Sequence, residues 1–265
     1  MSAKQGINLS ELPVGPQPIS TGTAELKAID GGLLLLVNGV ESSCYDLSDP
    51  AYLDFEYLQQ MSVVAEACFP LPQPLSALHL GGGACSLARA WAAKRPGGRG
   101  RVVELDEKLA EFVRTWFDLP RSPELSIRVG DAAEVAATFR DETFDVVVRD
   151  VFAGAHTPEH IWNTEATAHY ARILKPGGLF LANVEAAPGS MSVAQEWQVI
   201  REHFPEVIAI SAPTVARGDR RGNVVVAASD KPLPVSQIEV DLRRLPLPVS
   251  LVGAKIKRRW EQWRG

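Results

Sequence analysis

Ala77-Leu78-His79-Leu80-Gly81-Gly82-Gly83-Ala84-Cys85-Ser86 decides how this chain folds. A short apolar strand runs into three glycines, and Leu87 to Ala93 reads as the start of a helix. Glycines let the backbone turn sharply and come close to a ligand, while the new helix aims its free amides at that ligand. About 20 residues on, Val102-Val103-Glu104-Leu105-Asp106 ends a second strand with an acid, at the spacing from which a carboxylate binds a ribose diol. Val129-Gly130-Asp131-Ala132 closes a third strand, and Asp145-Val146-Val147-Val148-Arg149-Asp150 forms a fourth that ends in a carboxylate. Four strands with polar groups at their carboxyl ends describe a nucleoside-binding crevice.

The bulk properties frame that crevice. A chain of 265 residues with 46% hydrophobic and 22% charged residues can bury a full core. A net charge of -5 gives no basis for a general nucleic-acid binder. Cys44, Cys68 and Cys85 have neither zinc-site spacing nor the density of a disulfide scaffold, so they read as reduced thiols. His156, His160 and His169 do not form a metal set, and no metal is expected. Met1 to Pro18 lacks the pattern of a signal peptide, and Leu33 to Val37 is too short to span a bilayer. The expected location is the cytoplasm, with no membrane partner.

Four regions are expected. Residues 1–18, rich in Pro, Gly and Ser, read as a loose leader. Residues 19–60 hold an antiparallel hairpin with turns at Asp30-Gly31-Gly32 and Asn38-Gly39, then the start of a helix over Tyr52 to Cys68. Residues 61–230 alternate strand and helix, which predicts a mostly parallel sheet covered on both faces. Val207 to Ile210 and Asn223 to Ala228 predict a closing antiparallel hairpin. Residues 231–265 form an extension whose basic end (Lys255, Lys257, Arg258, Arg259 and Arg264, with Trp260 and Trp263) reads as a solvated amphipathic helix that packs its tryptophans on the body or on a partner subunit. The fold class is α/β, a Rossmann-like sheet preceded by a small β-region.

The triple-glycine turn, the acid after the second strand, Gly130-Asp131-Ala132, Asp150 and Leu174-Lys175-Pro176-Gly177-Gly178 occur in the order of an S-adenosylmethionine-type nucleoside fold. With the preceding Val37-Asn38-Gly39-Val40-Glu41-Ser42-Ser43 and the helix near Phe55-Glu56-Tyr57, the chain resembles the spermidine synthase (polyamine aminopropyltransferase) family over roughly residues 24 to 229. The resemblance implies that Gly81, Gly82, Gly83 and Glu104 hold the ribose end of decarboxylated S-adenosylmethionine or S-adenosylmethionine. It likewise implies that Asp131 and the Ala132 amide hold adenine, and that Asp150 binds and deprotonates a small amine. Tyr57 falls in the family's acceptor-side helix, and Glu185, after the fifth strand, would bind the far ammonium of a diamine. A homodimer is implied in the same way.

The departures point elsewhere. Ala84-Cys85-Ser86 stands where the family has Asp-Gly-Gly, and Tyr57-Leu58-Gln59 where it has Tyr-His-Glu, so two polyamine-facing acids are gone. After Asp150 the chain reads Val151-Phe152-Ala153-Gly154, which resembles the divergent spermidine synthase-like branch. Three readings stay open: aminopropyl transfer, methyl transfer from S-adenosylmethionine, and nucleoside binding without catalysis.

Overall fold

The structure, a computed structural model, describes residues 7, 9–154 and 156–263. The chain opens on β1 (Gln17–Ile19), β2 (Gly22–Ile29), β3 (Gly32–Val37) and β4 (Val40–Asp46), an antiparallel sheet in that order. Asn38 and Gly39 both take positive φ, 53° and 77°, the backbone of a two-residue turn whose twist matches the strands it joins. The expected hairpin is thus the middle of a four-stranded sheet. Its first strand lies partly in the stretch expected to be a loose leader, because Gln17 to Ile19 pairs with Gly22 to Ala24. Asp106 fastens the sheet to the rest: its Oδ2 accepts from Thr21 N (2.6 Å) and Thr21 Oγ1 (2.8 Å) while Oδ1 accepts from Leu109 N.

Helix α1 (Glu56–Cys68) begins four residues later than the sequence pattern suggests. Asp46 Oδ1 accepts from the amides of Ser48 and Asp49, Asp49 Oδ1 from that of Ala51, and Gln59 Nε2 donates to Leu53 O. These local bonds hold residues 46–54 in turns that compete with the helix.

Alternation then runs through β5 (Ser76–Leu80), α2 (Ser86–Lys94), β6 (Arg99–Glu104), α3 (Glu107–Trp116), β7 (Leu125–Val129), α4 (Ala132–Ala137) and β8 (Phe144–Arg149). It continues through α5 (Glu159–Trp162), α6 (Thr164–Ile173), β9 (Leu174–Ala186), α7 (Ser192–His203), β10 (Glu206–Ile210), α8 (Pro213–Ala216) and β11 (Gly222–Ser229), ending with α9 (Val235–Leu242) and α10 (Ala254–Glu261). Seven strands form one sheet in the order β10-β11-β9-β8-β5-β6-β7, parallel from β9 to β7 and closed by antiparallel β10 and β11. Leu174 to Gly178 belongs to β9, whose pairing with β8 shifts register between Phe144 and Val146.

Both faces of the sheet are covered, so its central strands are apolar on both sides. Phe180, Ala182 and Val184 of β9 pack with Trp197 and Ile200 of α7 and with Trp260 of α10. Leu179 and Leu181 pack on the other side with Leu58, Met61 and Val64 of α1. Odd-numbered residues of β9 therefore face α1, a parity that matters below. Of the two placements its pattern allows, helix α10 packs on the body: Trp260 lies edge-on to Trp197, with ring centres 5.5 Å apart, and its carbonyl accepts from Gln198. Lys255, Arg258 and Arg259 stay exposed, and Arg264 lies outside the described residues. Among the described residues, no helix is long and apolar enough to cross a membrane.

Strand β5 has β6 on one side and β8 on the other, so the chain order reverses there. In an open α/β sheet the carboxyl ends at such a reversal form a ligand crevice.

Candidate active site

The crevice is built where β5 and β8 end side by side. Gly81 has φ +91°, and a Cβ placed on it would lie 2.0 Å from the carbonyl oxygen of Asp150. Only glycine allows the turn after β5 to approach the end of β8 this closely. Asp150 N donates to Leu80 O (2.8 Å), which extends the sheet pairing by one residue and sets the Asp150 side chain on the α1 face.

That carboxylate is held at both oxygens. Asn183 Nδ2 donates to Oδ1 (2.9 Å) and Tyr57 Oη to Oδ2 (2.8 Å). Burial pushes Asp150 above the usual carboxylate range, and the bonds from Asn183 and Tyr57, with the charge of Arg149, pull part of the way back. The result is an oriented, poorly solvated carboxylate. Burial, then the Asp150 charge, pushes the Tyr57 phenol well above its ordinary value, so it stays a donor. Tyr57→Phe removes one bond that favours the charged carboxylate. The expected result is a further rise in the Asp150 pKa, so the acid limb of the pH–rate profile moves to higher pH. An acid limb at the same pH as wild type would show that Tyr57 does not tune Asp150.

On the other side of the turn, Glu104 Oε2 accepts from Gly82 N (3.0 Å) and Gly83 N (3.3 Å), and Oε1 accepts from Asp106 N (3.0 Å). Burial raises the Glu104 pKa against these three bonds. A Cβ on Gly82 would sit 2.8 Å from Glu104 Oε2, so the cradle depends on the missing side chain. Leu105 is exposed beside it and offers an apolar surface. Asp131 caps α4, accepting from the amides of Ala133 (2.9 Å) and Glu134 (3.1 Å), and its other oxygen accepts from His160 Nε2 (2.9 Å). Despite the opposing effect of partial burial, the His160 bond and the two amides hold Asp131 below the usual range. Ala132 is buried at the first turn of that helix. A narrow glycine turn, a carboxylate at the end of β6 and a capped helix at the end of β7 fit a nucleoside.

The far side of the crevice carries the largest surprise. Asn183 and Glu185 lie on the same face of β9, two residues apart. Glu185 is 8% exposed, with His156 Nδ1 3.2 Å and Arg221 Nη1 2.9 Å from its two oxygens. Neither side chain is aligned to hydrogen-bond, so both Glu185 oxygens lack a donor, as does Asn183 Oδ1. The alternation Leu181-Ala182-Asn183-Val184-Glu185 contained the signal for Asn183. Nothing local marked His156 or Arg221, which arrive from separate loops.

The lost acids have clear structural fates. Leu58 is buried in the core, Gln59 is spent on Leu53 O, and Ala84 is fully buried with its amide donating to Ser43 Oγ (2.9 Å). Cys85 sits before α2 with φ +59°, and burial pushes its thiol up to about 12, the inert packing residue its neighbours suggest. Among the described residues, no group of three or more His, Cys, Asp or Glu is placed to hold a metal ion. Beneath Asp150, on the opposite face of the sheet, Arg149 and Glu196 form a buried ion pair.

Residues 78–182 match the model of a methyltransferase domain. The chain is similar to a structure described as a probable spermidine synthase from Corynebacterium glutamicum, with 35% identity, TM-score 0.87, and coverage of 95% of this chain and 94% of that one. Spermidine synthase from Thermotoga maritima shares the fold, with TM-score 0.61 and 16% identity over 95% of this chain and 84% of that one. A polyamine aminopropyltransferase of Vibrio vulnificus is 25% identical over 170 residues, 63% of this chain. That match spans 54% of the Vibrio protein, about half its length.

Proposed function

The chain belongs to the spermidine synthase family, and from that premise we propose that it transfers the aminopropyl group of decarboxylated S-adenosylmethionine to a small amine, with Asp150 as the amine-binding base. The observation that carries this reading is the buried Asp150 carboxylate, oriented by Tyr57 and Asn183 beside the glycine turn.

Glu104 would hold the ribose, exchanging its bonds to the glycine amides for the diol. Asp131 and the Ala132 amide would hold adenine. Bound there, the co-substrate supplies a methylene carbon activated by the adjacent sulfonium: the new N–C bond forms as the C–S bond breaks, and the electron pair leaves on sulfur in methylthioadenosine. Asp150 accepts a hydrogen bond from the attacking amine, aims its lone pair and takes its proton. Burial suits the carboxylate to that task, because raising its pKa narrows the gap to the amine. Tyr57 and Asn183 fix the plane of the carboxylate, so the amine meets it in one orientation.

Methyl transfer is the second reading, favoured by the methyltransferase-domain match over residues 78–182 and by Ala84, which supplies no carboxylate for a propylamine arm. Calorimetry with the decarboxylated and the intact co-substrate separates the two. The intact form would bring a carboxylate toward Asp150 and Glu104, and no residue of the turn Gly81 to Ser86 is cationic. Aminopropyl transfer predicts that the decarboxylated form binds more tightly, by about tenfold if one unpaired carboxylate is partly desolvated. Tighter binding of the intact form would put methyl transfer first.

A further inference from the structure

The acceptor end of the crevice is not built for a second ammonium alone. Glu185 lies at the carboxyl end of β9 on the face that carries Asn183, and Asn183 bonds Asp150 directly. Arg221 immediately precedes β11, whose Asn223 pairs with Glu185 and which keeps the same parity, so Arg221 also belongs to the α1 side. His156 comes from the loop after β8, where Ala153 and His156 pair through their backbones. One mouth thus presents a base, an acid and two potential cations.

The unpaired atoms define what fits. Three buried acceptors, Asn183 Oδ1 and both Glu185 oxygens, have no donor. The orientation of Asn183 is fixed by Asp150, which can only accept, so its Oδ1 must point away from that carboxylate. Buried acceptors without donors are costly, and an ammonium supplies donors to several at once. Arg221 and His156 are largely exposed and approach Glu185 out of hydrogen-bonding alignment, which leaves them with N–H groups to offer. Those donors suit a carboxylate. A simple diamine would satisfy Glu185 but bring no anion to offset the charge of Arg221 beside it.

We propose that the acceptor is a basic α-amino acid: its side-chain amine meets Asp150 and Asn183 Oδ1, its α-ammonium meets Glu185, and its carboxylate meets Arg221 and His156. This rests on the aminopropyl-transfer reading for its chemistry. Asn183 and Glu185, two residues apart on one strand, stand about 7 Å apart, comparable to an extended basic side chain. The step is balanced. The side-chain nitrogen gains the aminopropyl carbon as the C–S bond breaks, sulfur keeps the electron pair, and Asp150 takes the nitrogen's proton. The α-amino group stays protonated on Glu185, which restricts transfer to the far nitrogen.

The test compares ornithine with putrescine and lysine with cadaverine, pairs that differ by one carboxylate. With the decarboxylated co-substrate, methylthioadenosine release gives kcat/KM for each. At least one amino acid should exceed its decarboxylated partner by about tenfold or more, the scale of one charge-assisted contact. Arg221→Gln should shrink that ratio about tenfold, and Arg221→Glu should reverse it. A wild-type preference for both diamines, or a ratio that neither variant moves, overturns the proposal while leaving aminopropyl transfer in place. Should no acceptor release methylthioadenosine, the reaction reading fails, and calorimetry of ornithine and putrescine in the presence of methylthioadenosine still decides the site. Tighter ornithine binding that Arg221→Gln removes supports it; equal binding overturns it.

Discussion

Asp150→Asn is expected to lower kcat with any accepted amine by about 10²- to 10⁴-fold, the range of a general base. Nucleoside binding should persist, because Glu104 ends β6 and Asp131 caps α4, apart from β8. Asparagine keeps the shape but cannot take the proton, and it presents an amide to Tyr57 and Asn183, which now donate to a carboxylate. The pH dependence adds a second readout. Asp150 must be ionised to act, so wild-type kcat/KM should fall as pH drops through its pKa, and burial places that pKa above the ordinary carboxylate value. In the asparagine variant that acid limb should vanish. Steady-state assays of both proteins across pH check this, and wild-type turnover by the variant would remove Asp150 from the chemistry.

The largest effect on stability is expected from Glu196→Gln. Arg149 and Glu196 are 1% and 2% exposed, and their ion pair lies under the carboxyl end of β8. Arg149 Nη1 already lacks a partner, so little remains to offset the guanidinium once Glu196 is neutral. Breaking a buried pair from one side costs about 3–5 kcal/mol, whereas replacing both partners by apolar groups is often nearly neutral. The single variant should therefore lose several kcal/mol in denaturant unfolding, and Arg149→Met combined with Glu196→Leu should regain most of it. A single variant within 0.5 kcal/mol or so of wild type, the usual scatter for a surface change, would show that the pair holds nothing in place.

Much of this molecule was written locally. The glycine turn at Gly81 to Gly83, the strands ending at Glu104 and Asp150, and the closing pair β10 and β11 each follow from apolar runs interrupted by turn residues. The parallel pairing of the sheet then follows from alternation, though its strand order does not. The start of α1 did not, because Asp46 and Asp49 hold turns that helical periodicity cannot register. Strand β1 was hidden as well: a three-residue strand that follows Pro16 and contains Pro18 shows no alternation, and only its pairing with β2 reveals it. In the crevice, family resemblance drew attention to Tyr57, and the fold brings its hydroxyl to Asp150 across 93 positions of sequence. Glu185 was legible as an acid at a strand end, but the cations over it were not. His156 and Arg221 meet it only because the loop after β8 and the start of β11 converge on the end of β9. His160 on Asp131 is a contact of the same kind.

The most direct measurement is mass spectrometry of the products after incubating the pure protein with decarboxylated S-adenosylmethionine and a panel of amines and basic amino acids. Aminopropyl transfer predicts methylthioadenosine and one aminopropylated acceptor in equal amounts. Intact co-substrate after full incubation with every acceptor, or S-adenosylhomocysteine formed from S-adenosylmethionine under the same conditions, would contradict it.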